Sequence, residues 1–152
     1  MGCDIHSLAE GQANGQWVKL DVEAFEERSY RLFGWLAGIR NYSGVTPIAA
    51  GRGFPNDAST AAAEDYASWA GDAHSAGWVN LAELLAVDYE QLIEDRRVTK
   101  QIAPNFWTGG ETCEPGEGKK QTLRGFLGHQ YFVVLERLRK AGAERVVFWF
   151  DN

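Results

Sequence analysis

The sequence predicts an α+β fold: a small, mostly antiparallel sheet that includes the N-terminal hairpin and the C-terminal strand, packed against several helices. Three observations carry this. Residues 3–9 alternate, with Cys3, Ile5 and Ser7 facing one way and Asp4, His6 and Leu8 the other, which is the two-residue period of a strand. Leu123, Phe126, Leu127, Val134, Leu135 and Leu138 form one apolar stripe over 123–140, the signature of an amphipathic helix. Residues 145–150 are an almost unbroken β-branched and aromatic run, as in a buried strand.

The elements follow in order. Residues 11–15 are turn-rich and 16–20 return as a second strand, closing a hairpin. Leu32, Phe33, Leu36 and Ile39 keep helical spacing over 30–39, although Gly34 and Gly38 weaken it. Residues 41–54 read as a loop. Asp57 or Ser59 caps a second helix whose body is 61–70. Residues 71–77, bounded by glycines, read as a loop, and Asn80 caps a third helix through Leu81, Leu84 and Leu85. Residues 89–96 are expected to be helical, 98–102 extended, and 108–118 a glycine-rich loop. Gly142 ends the long helix as an αL residue. No internal repeat and no linker interrupts the chain, so 1–152 is treated as a single domain.

Composition bounds the function. The 152 residues are 45% hydrophobic, with six Trp, five Tyr and eight Phe, ample for a packed core. The net charge is -6, and the one dense basic run, Arg137, Arg139 and Lys140, sits at a helix end where cations suit the dipole. Duplex nucleic acid, which demands a basic face, is not expected as a partner. A small nucleotide needs only two or three placed cations and stays open. Asp4 and Glu10 interrupt the first apolar stretch and no apolar run reaches the length of a membrane span. With two cysteines and no CxxC, the expectation is a cytoplasmic protein without a membrane partner. His6 stands where an acylation motif needs Ser or Thr.

The chemistry-bearing residues fall into three sets. Asp4-Ile5-His6 lies on the first strand and Asp72-Ala73-His74 in a glycine-bounded loop. Carboxylate oxygens with imidazole nitrogens suit a divalent metal such as zinc, manganese or magnesium, and Asp151 at the last strand's end offers a further ligand. The same pattern arises when each Asp merely orients its histidine or caps a turn. In the metal reading Asp4, His6, Asp72, His74 and Asp151 hold the ion, and His6, His74 and Asp72 carry the catalysis. Among the arginines, Arg40, beside Asn41, and Arg52, between Gly51 and Gly53, are placed to fork onto phosphate oxygens, or else pair with surface glutamates. Of the tryptophans, Trp78 follows the His74 loop and is the candidate to stack on a base. His129 falls opposite the apolar stripe. Residues 116–120 (Gly-Glu-Gly-Lys-Lys) lack the spacing of a phosphate-binding loop.

The opening Met1-Gly2-Cys3-Asp4-Ile5-His6 resembles a family of small, uncharacterised bacteriophage proteins. Arg28-Ser29-Tyr30, Gly38-Ile39-Arg40-Asn41, Gly51-Arg52-Gly53-Phe54-Pro55, Gly71-Asp72-Ala73-His74-Ser75 and Phe148-Trp149-Phe150-Asp151-Asn152 fit the same resemblance, which spans nearly the whole chain. It implies a phage setting, with counter-defence or nucleotide handling in the host cytoplasm.

The residues and the resemblance lead to one expectation and two alternatives. The expectation is metal-assisted hydrolysis of a phosphoester in a nucleotide or similar small molecule. The first alternative is a non-catalytic sponge that sequesters a nucleotide immune signal. The second is an inhibitor that binds a host protein. A homo-oligomer is compatible with each.

Overall fold

The computed structural model describes residues 2–152. Its secondary structure is α+β, as the sequence predicts, with antiparallel strand pairing throughout. The chain folds into two compact units, residues 1–28, 49–87 and 130–152 in one and 29–48 and 88–129 in the other. Each is assembled from separated stretches of the chain.

The first unit is built on a four-stranded sheet in the order β2-β1-β8-β3. Strands β1 (Asp4–Ala13) and β2 (Gln16–Lys19) make the hairpin. Ala13 pairs with Gln16 across a two-residue turn, Asn14-Gly15, with φ of 52° and 77°. Asn and Gly are the residues that tolerate two successive positive φ angles, and such a turn matches the strand twist. The hairpin therefore turns later than residue 11, and β1 is longer than the alternation alone indicates. The last strand, β8 (Arg145–Asp151), lies between β1 and β3 (His74–Asn80), which explains its continuous apolar run: both faces are covered. Val146 to Phe150 are completely buried.

Residues 71–77 are not a loop. A single 3-10 turn, Ala70–Asp72, precedes β3, and the ladder slips between His74 and Gly77, with Ser75 at φ 54°. A Cβ at Gly77 would lie 2.8 Å from Phe148 Cζ, so the glycine lets β3 close over that ring. Register assigns the faces, because successive residues of a strand point to opposite sides. Asp4, His6, Leu8 and Glu10 stand opposite Asp151, Trp149, Val147 and Arg145, and Trp78 and Asn80 stand opposite Val147 and Arg145. This face is roofed by α2 (Thr60–Ser68), whose Ala62 packs with Leu8, Val147 and Trp149, joined by Phe54, Tyr66 and Trp69. The other face carries Ile5, Ala9, Val79, Phe148 and Phe150, all buried.

Helix α3 (Leu81–Ala86) starts at Asn80 with a reciprocal capping box to Glu83. The expected helix over 123–140 is two helices, α4 (Leu123–Leu127) and α5 (His129–Lys140). Gly128 separates them at φ 83°, ψ 170°, a conformation closed to other residues. The stripe survives in α5 as Tyr131, Val134, Leu135 and Leu138, all buried.

The second unit holds α1 (Tyr30–Ala37), capped by Ser29 and ended by Gly38 at φ 74°. It also holds α4 and two antiparallel pairs. Residues 89–96 are not helical: β4 (Leu92–Asp95) pairs with β7 (Lys119–Thr122). Residues 108–118 are not all loop either, since β6 (Phe106–Thr112) pairs with β5 (Arg97–Ala103). Both segments are short and weakly patterned, so strand pairing decided them: 92–95 with the distant 119–122, and 106–112 with the adjacent 97–103. Among the described residues no helix is long and apolar enough to cross a membrane.

Candidate functional site

The two ends of the roofed face carry different chemistry. At one end β1 and β8 bring His6 to Asp151, with Nε2 2.6 Å from Oδ2 and both side chains about one quarter exposed. The imidazole lies over Trp69, ring centroids 4.0 Å apart, and stacks on Trp149 at 6.1 Å. The convergence of His6 with Asp151 follows from cross-strand pairing of the N-terminal and C-terminal strands. Asp4, on the same face, is held by Arg28 through two hydrogen bonds of 2.8 and 2.9 Å, and this guanidinium keeps its carboxyl below the usual carboxylate range.

The second Asp-x-His pair goes elsewhere. His74 stands opposite Phe150, its ring 6.3 Å from the phenyl ring, whereas His6 stands opposite Trp149. Phe150 and Trp149 are consecutive and face opposite sides of the sheet. His74 bonds Ser75 Oγ and the Asn152 side chain, while Asp72 lies in the 3-10 turn. The flanking glycines do not bring the Asp72–His74 segment onto the His6 face, because β3 pairs with the far edge of β8. Among the described residues no three His, Cys, Asp or Glu side chains come together to hold a metal ion. Asp4, His6, Asp72, His74 and Asp151 are therefore not gathered as one ligand set.

At the other end of the face lies a cleft of about 560 Å³, lined by Trp17, Arg52, Asp57, Trp78, Asn80 and Arg145 among others. Glu10 lies four residue steps along β1 from His6, about 13 Å at ~3.3 Å per residue, so the cleft and the His6 end are distinct. Two of the residues expected to bind ligand, Arg52 and Trp78, meet here. The Arg52 guanidinium sits 4.6 Å over the Trp78 ring and donates to Trp78 O and to both Glu83 oxygens, the latter at 2.7 and 2.6 Å. This contact raises the Arg52 pKa and lowers that of Glu83. Arg52 thus joins the loop before α2 to the capping box of α3, and its fork is already filled by a carboxylate.

Across the cleft Arg145 lies 3.9 Å over Trp17. Its Nε donates to Glu10 Oε1 at 2.8 Å and its Nη1 to Asp57 at 2.9 Å. Nη2 lies 2.6 Å from the same Glu10 oxygen but is not aligned for a hydrogen bond. Glu10 also accepts from Ser59 N, the N-cap of α2. Asp57, 62% exposed, has its pKa lowered by the Arg145 hydrogen bond, and accepts from Trp17 Nε1 at 3.2 Å. Trp17, Glu10 and Arg145 carry no expected role in the sequence, and Asp57 is expected there only as a candidate helix cap. For Glu10 and Arg145 the available signal was two charges of opposite sign at the ends of two strand segments, which the structure pairs across the ladder.

Arg40 and Asn41 belong to the second unit. Arg40 Nη1 donates to Tyr42 OH at 3.3 Å and its guanidinium lies 5.7 Å from the Tyr30 ring centre. Asn41 spends both ends of its amide on Val45 backbone, closing the turn after α1. A Cβ on Gly34 would collide with that amide at 2.7 Å, so α1 and this turn pack closely. His129 begins α5 and is exposed. Compared with family models, with curated proteins and with solved structures, the chain matches none.

Proposed function

We propose that this chain binds a small, nucleobase-bearing ligand in the cleft between Trp17 and Trp78, without catalysis. One observation carries the reading: two tryptophans, each backed by a guanidinium at 3.9 and 4.6 Å, line one cleft of about 560 Å³. That volume is in the range of small-molecule sites. A cation over the ring fixes the indole in the cleft wall, and an indole held there is a stacking platform for a base. Asn80 and Asp57 supply an amide and an acceptor for a base edge. Both arginines already face carboxylates, so stacking carries more of the affinity than phosphate capture does. An anionic group gains Arg145 by displacing exposed Asp57, whose surface contact is weak. In the phage setting suggested by the opening motif, such a protein would act as a sponge for a nucleotide signal.

The test is a titration of the intact chain with mono- and cyclic nucleotides, followed by tryptophan fluorescence. Trp78→Ala and Trp17→Ala are each expected to weaken binding by about 1–3 kcal/mol, the worth of stacking one base, and chelator to leave it unchanged. If the native chain binds no nucleotide, or if both variants bind as well as the native chain, the cleft is not the site.

A second reading keeps hydrolysis, on the strength of the His6–Asp151 contact, an arrangement that orients an imidazole for proton transfer. Nucleotide turnover that disappears in His6→Ala while binding persists would favour it over sequestration.

A further inference from the structure

We infer that the second unit carries a separate site for a small, multiply charged oxyanion of the phosphate or pyrophosphate type. The site is a pocket of about 460 Å³ whose wall includes Arg31, Arg97, Lys119, Asp95, Glu117 and Cys113. It differs from the tryptophan cleft in its charge state. There each arginine faces a carboxylate. Here none of Arg31, Arg97 and Lys119 makes an ion pair among the described residues. Three cations face one cavity against two carboxylates, on a chain whose net charge is -6.

The cations are held by contacts that do not neutralise them. Arg97 Nε donates to Gly109 O at 2.6 Å, and its guanidinium lies 5.7 and 5.5 Å from the ring centres of Tyr30 and Tyr42. Arg31 lies 5.7 Å from the Phe126 ring centre. Aromatic faces position a guanidinium and leave its charge in place. Among the described residues Asp95 makes no ion pair with any of them: its Oδ1 accepts from the Arg97 backbone N at 3.1 Å, and it stands across the ladder from Lys119. Two planar forks and one ammonium around a cavity are the donor set that an oxyanion with several oxygens completes. The Gly-Glu-Gly-Lys-Lys stretch, which lacks phosphate-loop spacing, contributes through Lys119 and the side-chain-free Gly118.

Cys113 supplies a reporter on the wall of the pocket. It is half-buried, and the other cysteine, Cys3, is fully buried. Its thiolate attacks one sulfur of an aromatic disulfide, forming a mixed disulfide as the reagent's S–S bond breaks, and the other half leaves as an absorbing thiolate or, from the pyridyl reagent, as the protonated thione. The rate is measured on the intact chain with an anionic reagent (dithiobis-nitrobenzoate) and a neutral one (4,4′-dithiodipyridine), with Cys113→Ser as blank. Pyrophosphate is expected to slow both reagents saturably, because it occupies the cavity. Sodium chloride at equal ionic strength is expected to slow only the anionic reagent, by screening. Lys119→Gln and Arg31→Gln should each weaken the protection by about two- to five-fold, the range of an exposed charge contact. Titration calorimetry with pyrophosphate on the native chain and on Lys119→Gln gives a second readout independent of the thiol. If millimolar pyrophosphate acts no better than matched salt and gives no binding heat, or if Lys119→Gln and Arg31→Gln bind it as the native chain does, the inference is overturned.

Discussion

Glu10 and Arg145 are the charged residues whose burial needs the closest account. They lie opposite each other on adjacent strands, 0% and 5% exposed. Removing one partner of such a pair strands the other without water. Arg145→Met leaves Glu10 with only the Ser59 backbone N–H, and is expected to lower stability by about 3–5 kcal/mol. The double variant Glu10→Leu/Arg145→Met should recover most of that loss, since an apolar pair of similar volume is often neutral. Denaturant melts of the three proteins decide it. A loss below about 1 kcal/mol in the single variant would show that the pair does not hold β1, β8 and the start of α2 together. The Arg52–Glu83 pair is more exposed, at 23% and 33%, and screening limits it to about 1 kcal/mol or less. Arg52→Ala is therefore expected to disturb the cleft by releasing the Trp78 ring more than it disturbs the fold.

At the scale of the element, Gly128 is the informative position. The 123–140 stripe reads as one helix because periodicity records which residues face the core and not where the backbone bends. Only the φ of 83° and ψ of 170° show the break. In a continuous helix Gly128→Ala would stabilise by about 1 kcal/mol. At this conformation it is expected to destabilise by about 1–3 kcal/mol, so the sign of the change in melting temperature separates the two. The strands at 92–95, 106–112 and 74–80 were hidden for a related reason. Each pairs with a segment distant in sequence or across a slipped ladder, and strand propensity measures that context more than the local residues. The Asn14-Gly15 turn, by contrast, is local chemistry carried by two adjacent residues.

For the whole molecule the carboxylates set the acid limit. The Arg28, Arg145 and Arg52 contacts depress Asp4, Asp57 and Glu83 respectively. A carboxylate whose folded-state pKa is depressed contributes stability above its unfolded value and loses it as pH falls through the folded one. Melting temperature is expected to be level near neutrality and to fall once pH drops below about 4, the ordinary carboxylate range. Variants Arg28→Met and Arg52→Met should each shorten that acid limb. A melting temperature that rises between about pH 5 and pH 3 would contradict the assignment of these pairs.

The sequence by itself indicated the fold class, the hairpin, the buried character of the last strand, and the caps at Asn80 and at Asp57 or Ser59. Each rests on periodicity or on side-chain-to-backbone chemistry within a few residues. It also marked His6, Asp151, Arg52 and Trp78 as side chains of consequence. Only the tertiary structure decided their company. Strand register sent His6 and His74 to opposite faces, so the two Asp-x-His pairs do not pool their ligands. It also set Glu10 against Arg145, and with them Trp17 and Asp57 around a cleft that no linear motif announces. A one-residue difference in pairing moves a side chain to the other face of a sheet, and that parity is fixed by partners up to 145 residues away.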